Sequence, residues 1–466
     1  MKLVVLWTDA VVFLLIAAIW WYAFKVTRTP HLAATWRKAF VARTGAATAT
    51  ILTLFALVGV LDSMHFRTLL PDSNAATPSY SAVTRSVLDV ILAKQEASRE
   101  TSYSAPLAYL GYEKEAQIIE GKAVRVHPRL KFGGAALTDP ENQWGVDVAT
   151  RVLGGAVVGA LLTMLACGFA AALRARSAGI GFNQAWQQIK RRETSMPIKT
   201  VLITLGVFFV LAGIVGALAA QYHVFGTDRV GNDLLYVVLK SIRTALVIGT
   251  MTTLVTLPIA VGLGILAGYL RGWVDEVIQY VYTVINSIPY VLLIAAAVLI
   301  LLNFIDAHPE MFQTAAERTD ARLFFLCVIL GMTSWTELCR LIRGEVMKLR
   351  EFEYVQAAQA FGVGTWRIMT VHLLPNVMHL ILITVVISFS GLVLAEAILS
   401  YVGVGVDPSM ASFGMLINTA RLELSREPAI WWTLATAFAF MFALVLSANI
   451  FADAVRDAFD PRSLRR

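Results

Sequence analysis

The sequence predicts an all-α polytopic membrane protein with about nine transmembrane helices. Three observations carry that expectation. Of the 466 residues, 57% are hydrophobic and only 15% are charged, against about 25% charged in a soluble domain. Long apolar runs alternate with short charged stretches, as in a polytopic helical protein. The basic residues then gather in every second connection.

The apolar runs lie at 3–24, 45–61, 152–173, 201–220, 244–268, 277–304, 323–339, 376–397 and 429–450. Each is close to the ~20 residues that a ~30 Å hydrocarbon core requires. In lipid the backbone has to pair with itself, so each run is expected as a helix. The run at 45–61 is short and rich in threonine, and is the weakest of them. The first run follows a single basic residue and lacks a small-residue cleavage site, so it reads as a retained helix and not a signal peptide.

Orientation follows from the lysines and arginines. One set of alternate connections holds Lys25, Arg28, Arg37, Lys38 and Arg43, then Arg174, Arg176, Lys190, Arg191, Arg192 and Lys199. The same side holds Arg271, then Arg340, Arg343, Lys348, Arg350 and Arg367, and finally Arg456, Arg462, Arg465 and Arg466. That side is expected to be cytoplasmic, with the N-terminus outside and the C-terminus inside. The net charge of +7 is then a membrane-topology signal, and no nucleic-acid partner is implied.

The domains expected are two N-terminal helices over 1–61, an extracytoplasmic insert over 62–150, a third extra helix with a basic linker over 151–200, and a six-helix core over 201–466. With Pro71, Pro78, Pro106, Pro128 and Pro140, the insert is either a small domain or a loosely ordered loop. The stretch 174–200, with Trp186 and the Lys190-Arg191-Arg192 run, reads as an interfacial amphipathic linker that anchors the positive side. Cys167, Cys327 and Cys339 fall within apolar runs and read as buried thiols.

Several chemistries have no signature here. The sequence contains no GxxxxGK[ST] loop for nucleotide phosphates, no HExxH or GxSxG, and no paired Cys/His metal spacing. No catalytic residue and no metal ligand are therefore nominated. Asp9 is the clearest ionisable group in a span, but near the end of its run it reads as an interfacial residue that reaches water.

The most informative segment is Glu351 to Asn376, EFEYVQAAQAFGVGTWRIMTVHLLPN. Glu353, Val355, Ala357, Ala358 and Phe361 recur at helical spacing, and Gly362 and Gly364 break the helix. A second short helix is expected from Thr365 towards Pro375. Small Ala357 and Ala358 would admit another protein's surface, with Phe361 as an apolar knob, so the hairpin reads as a docking element.

These residues resemble the EAA loop of bacterial ABC importer permeases, E-A-A-x3-G-x9-I-x-L-P, in Gln356, Ala357, Ala358, Gly362, Leu374 and Pro375. Gln356 replaces the glutamate, and His372 stands at the isoleucine position, as is common in the peptide-transporting branch. Three more blocks resemble the second (C-type) subunit of the dipeptide/oligopeptide/nickel permeases. His223 to Gly249 carries G-T-D-x-x-G-x-D as Gly226, Thr227, Asp228, Gly231 and Asp233, with Asn232 in place of the usual arginine. Ala395 to Gly405 resembles E-T-x-L-S-F-L-G-L-G through Glu396, Ser400, Gly403 and Gly405. Asn449 to Arg462 resembles the family's N-x-x-G-D-x-L-R-D-x-L-D-P-R terminus. Taken singly, Gly226-Thr227-Asp228 is a turn, Asp233 a helix cap and Asp460-Pro461 a helix stop; their order along the chain is what carries the resemblance.

The resemblance implies a type I ABC importer permease core over 201–450 with an extended N-terminal region. It implies a homologous permease partner in a heterodimer, two ATPase subunits that grip 351–375 and bind ATP and Mg, and an external solute-binding protein at the G-T-D and 396–416 faces. The branch implies di- and oligopeptides as cargo, with nickel complexes or another small solute as alternatives. A proton-coupled secondary transporter, or a membrane-anchored assembly or sensor protein working through 62–150, stand as rival classes. Gly145-Val146-Asp147 faintly echoes Gly231-Asn232-Asp233 and is read as coincidence.

Overall fold

The computed structural model describes residues 2–69, 80–119, 122–194, 196–312 and 314–459. Pro71, Pro78, the Asp460-Pro461 stop, Arg462, Arg465 and Arg466 lie outside the described residues. Among those described, nine helices are long and apolar enough to cross a membrane. The chain is an all-α polytopic membrane protein.

Three helices open the chain: α1 (Trp7–Arg28), α2 (Pro30–Val41) and α3 (Arg43–Ser63). Span α3 is the threonine-rich one. Its hydroxyls satisfy themselves within the helix, Thr48 on Thr44 O at 2.8 Å, Thr50 on Ala46 O at 2.8 Å and Thr53 on Ala49 O at 2.7 Å, so they bring no orphan donors into lipid.

The insert follows. Strands β1 (Lys2–Leu3), β2 (His65–Arg67) and β3 (Arg85–Ser86) form a small antiparallel sheet in which Lys2 pairs with Arg67 and His65 with Ser86. Short helices α4 (Val87–Ile91) and α5 (Ala93–Ala97) lead to a hairpin of β4 (Glu115–Ile119) and β5 (Lys122–Val126). The insert does not keep a core to itself. Tyr103 is buried in the same cluster as Leu234, Val238, Phe413 and Trp432 of the helical bundle.

Next come α6 (Pro140–Ala178), α7 (Phe182–Arg191) and α8 (Ile198–Ala219). Antiparallel α6 and α8 touch backbone to backbone: a Cβ added at Gly155 would sit 2.4 Å from Gly213 O, and one at Gly159 2.4 Å from Phe209 O. This is close small-residue packing of the kind that associates helices in lipid.

The remaining elements are α9 (Leu234–Leu270), α10 (Gly272–Ser287), α11 (Tyr290–Ala307), α12 (Ala315–Leu349), α13 (Glu353–Ala360), α14 (Thr365–Arg367), a π turn over Ile368–Leu373, α15 (Leu374–Val402), α16 (Phe413–Glu423) and α17 (Trp432–Phe459). Parallel α9 and α12 make the most extensive pairing in the bundle. The run expected as one span at 277–304 is broken instead, α10 ending at Ser287 and α11 starting at Tyr290. The reason is Pro289, which has no N–H and drives Ile288 into extended backbone (ψ 132).

The ends of the helices sort onto two faces. One carries Asp9, Ser63, the insert, the 220–233 turn and the 403–431 segment. The other carries 29–42, 179–197, Arg271, the 350–364 hairpin and the end of α17.

Candidate functional site

The hairpin is a rigid object on a fixed base. At the end of α12, Arg350 donates to Tyr269 O at 2.8 Å, and Glu351 pairs with Arg271 at 2.7 Å. In α13, Val355 and Ala358 are buried against Tyr269, Val346 and Leu373, and Gln359 donates to the Tyr269 hydroxyl at 3.1 Å. The helix then stops in a Schellman motif: Gly362 sits at φ 75, its N–H bonds Gln359 O at 3.0 Å, and the Val363 N–H bonds Ala358 O at 3.0 Å. Val363 supplies the apolar contact that usually accompanies this motif by packing on the same cluster.

What this base presents outward is aromatic. Phe361 is 87% exposed and Trp366 72%, with Phe352, Glu353, Gln356 and Ala357 also exposed. Side chains this apolar are left uncovered by the chain itself. Two expectations change here. Ala358 faces inward, where its small size lets α13 lie close to its own bundle, so of the alanine pair only Ala357 is on the open side. The second short helix is not separate, because Thr365–Val402 forms one span. Pro375 cannot donate to Val371, and the π turn just before it accommodates that missing bond without ending the helix. His372 is half-buried with its ring 6.3 Å from that of Tyr354, whose hydroxyl accepts from Asn376 at 3.2 Å; Leu374 is half-buried and Pro375 exposed.

On the opposite face the G-T-D segment is a buried clasp. Asp228 accepts from the N–H groups of Val230 and Asn232 at 2.8 and 2.9 Å, shaping the turn. Gly231 takes φ 82, and an added Cβ would meet Glu100 O at 2.0 Å. Gly226 is likewise crowded, by Ser104 O and Trp432. Thr227 receives the Ser104 N–H at 2.7 Å, and its carbonyl accepts from Trp432 Nε1 at 3.1 Å. Asp233 caps α9 through Leu235 N at 2.8 Å and holds His223 Nδ1 at 2.8 Å; His223 Nε2 lies 3.3 Å from Glu100 Oε1. Burial opposes the charged imidazole, but the hydrogen bonds and charges of Asp233 and Glu100 outweigh it and hold His223 up at about 9. Burial would raise the Glu100 carboxyl, yet His223 and the N–H groups of Phe132, Lys131 and Gly133 bring it down to about 2. The motif expected to face a partner is therefore covered by the insert, leaving Arg229 and Val230 as its exposed tip.

The Glu396 block is also interior. Ser400 Oγ donates to Glu396 Oε1 at 2.7 Å with both residues buried. Gly403 ends α15 at φ 85, and Gly405 lies so close to Ser400 that a Cβ would meet Ser400 Oγ at 2.0 Å. Ser412 caps α16 by accepting from Met415 N at 3.0 Å. These residues shape the 403–412 loop.

Sequence reasoning missed one cluster. Asp9 does not reach water: it is fully buried, 2.6 Å from Arg243 and 2.7 Å from His65 Nδ1. Asp320 lies 3.6 Å from the same guanidinium and accepts from Thr8 N at 3.0 Å. The available signal was that Asp9, Arg243 and Asp320 each sit near the same-side end of a different span.

Nine long apolar helices among the described residues, with a stiff aromatic hairpin left uncovered on one face, define a multi-pass membrane protein. Residues 260–465 match the model of the binding-protein-dependent transport system inner membrane component. The oligopeptide transport system permease protein OppC of Mycobacterium tuberculosis is 30% identical over 246 residues, 52% of this chain and 78% of that protein. The dipeptide permease DppC of Bacillus subtilis is 28% identical over 295 residues, 60% of this chain and 86% of that protein. The peptidoglycan transport system permease YejE of Agrobacterium fabrum is 33% identical over 254 residues, 54% of this chain and 60% of that protein. The chain belongs to this family of ABC importer permeases, in its C-type subunit branch.

Proposed function

We propose that this chain is one of two permease subunits of an ATP-driven importer of di- and oligopeptides in a bacterial inner membrane. The cargo class rests on the relatives, whose names are oligopeptide and dipeptide permeases. The coupling role rests on one observation, the uncovered Phe361 and Trp366 on a hairpin locked to α9 and α12. A partner ATPase takes that aromatic pair into a groove. Its movement reaches the spans through Tyr269, Arg350 and Glu351, because packed cores transmit displacement. Chemical work stays with the partners: two ATPase subunits bind ATP and Mg, a homologous permease completes the pathway, and a solute-binding protein delivers the peptide.

In this reading the hairpin face is cytoplasmic, the insert lies outside, and the N- and C-terminal ends lie on opposite sides. The concentration of lysine and arginine on the hairpin face supports it. The insert, clasped over the G-T-D turn, forms part of the surface on which the binding protein lands.

The test is co-purification of the tagged chain with candidate ATPase subunits, followed by peptide uptake into proteoliposomes. ATP-dependent uptake that needs an ATPase and a second permease supports the reading. Uptake by this chain alone, driven by a proton gradient, overturns it.

A further inference from the structure

We propose that a cavity between the starts of α3 and α8 and the end of α7 binds the phosphate of an anionic phospholipid. This cavity, about 190 Å³, lies on the hairpin face and is lined by Arg43, Arg192 and Lys199, together with Thr200, Val41 and Met196. Three cations thus converge on one space, and among the described residues no carboxylate pairs with any of them. Of the acids nearby, Glu193 is exposed and does not line the cavity, and Asp453 and Asp457 line a separate cavity with Lys38, across the turn at 41–44.

The placement of the cations is built into the backbone. Arg192 caps α7 in the left-handed region, at φ 61, which side chains disfavour. Lys199 is steadied by donating to Lys190 O at 3.2 Å. Thr200 adds a hydroxyl in the first turn of α8, whose Ile198 and Thr200 amides are already taken by Met196 O and Pro197 O, so the side chains supply the donors. This donor set suits a phosphate ester.

A lipid is favoured over a free anion by what surrounds the cations. Helix α7 buries Ala185 and Ile189 on the bundle and leaves Phe182 and Trp186 exposed, the pattern of a helix lying in a membrane interface. Val41 and Met196 are also exposed beside the cavity. Charge on one edge and bare apolar surface on the other match a head group with its acyl chains. The site is independent of the transported solute.

The experiment reconstitutes the full chain in phosphatidylcholine vesicles and measures immobilisation of spin-labelled phosphatidylglycerol against spin-labelled phosphatidylcholine. The wild type is expected to select phosphatidylglycerol. Each cation removed should lower that selectivity about fivefold, so Arg43→Gln with Lys199→Gln loses about 25-fold. Arg176→Gln with Arg191→Gln, the same charge loss outside the cavity, should keep the selectivity, and so should Lys199→Arg. Gel filtration of each variant separates misfolding from loss of the site. No preference in the wild type, equal loss in both double variants, or full displacement of the label by millimolar inorganic phosphate overturns the proposal.

Discussion

Arg243 Nη2 lies 2.6 Å from Asp9 Oδ1, so the first helix of the chain is joined to α9 by a buried ion pair. Thr8 donates through its backbone to Asp320 of α12 at 3.0 Å, and His65 closes the cluster from β2. Helix α1 is thereby fastened to α9 and α12 by charge as well as by the apolar contact of Val11 and Val12.

Removing the arginine takes away the guanidinium shared by the two carboxylates and leaves Asp9 with His65 and Asp320 with Thr8. Arg243→Met is expected to destabilise the folded chain by roughly 3–5 kcal/mol, as for other broken buried pairs. Adding Asp9→Asn and Asp320→Asn should recover a good part of that loss. Thermal unfolding of the purified protein in detergent reads both effects. An unchanged midpoint for Arg243→Met would show that the cluster carries no stability.

The clasp between Glu100, His223 and Asp233 should respond to pH on both sides. His223 is held above its ordinary value, so its contribution is complete below about 6.5 and fades as pH rises through about 9. Glu100 is held below its ordinary value, so its contribution is complete above about 4.5 and fades as pH falls toward about 2. The insert should be most firmly attached between pH 4.5 and 6.5. Amide protection factors at Lys131, Phe132 and Gly133 measure this, and Glu100→Gln should lower them throughout.

Phe361→Ala and Trp366→Ala remove exposed side chains and should leave the unfolding temperature where it is. Both should reduce ATP-dependent uptake at least tenfold, the loss expected when an interface anchor worth more than 1.4 kcal/mol is truncated. Gly362→Val adds local backbone strain of about 1–2 kcal/mol at its left-handed position, and should uncouple transport while membrane insertion persists. Uptake at the wild-type rate in all three would remove the hairpin from the coupling path.

Crossing glycines separate crowded from open positions. Gly159→Leu drives a side chain into the Phe209 carbonyl and should cost about 1–3 kcal/mol. Gly168→Ala, on the same helix with open space around it, should be neutral or slightly stabilising. Unfolding curves of the two variants side by side are the measurement.

Much of this fold was legible because lipid imposes few solutions. Even the threonine-rich run at 45–61 proved helical, since each hydroxyl that bonds its own preceding turn costs the span nothing. What hydropathy does not register is backbone geometry, so Pro289 disappeared into an apolar window and the broken span read as one. Pairing across the fold was equally hidden. Asp9 looked water-accessible because Arg243 is 234 residues further along the chain. The clasp followed the same pattern: Gly231 and Asp233 were visible as motif residues, whereas Glu100, their partner, sat in a stretch with no periodicity to mark it. The hairpin was read correctly as a bent element, but which alanine faced outward depended on the rotation of α13 about its axis, and a single buried contact decides that.

The break at Ser287 to Pro289 has a consequence for what this polypeptide is by itself. It lies level with Thr336, midway along α12, whose hydroxyl meets Asn286 at 3.0 Å. Part of the broken ladder is mended locally, Ser287 Oγ donating to Val284 O at 2.7 Å, the Ile288 N–H to Ile285 O at 3.3 Å and the Leu292 N–H to Pro289 O at 3.0 Å; for the other terminal groups of the two half-helices, alkyl tails supply no mates. The notch opens away from the bundle, with Asn286, Ser287, Ile288 and Pro289 all on the outside. The chain's own hydroxyls and turns seal part of this gap, and what they leave is polar surface on the outside of the bundle. In an otherwise greasy wall, this short kink between α10 and α11 wets as readily as it dissolves in oil.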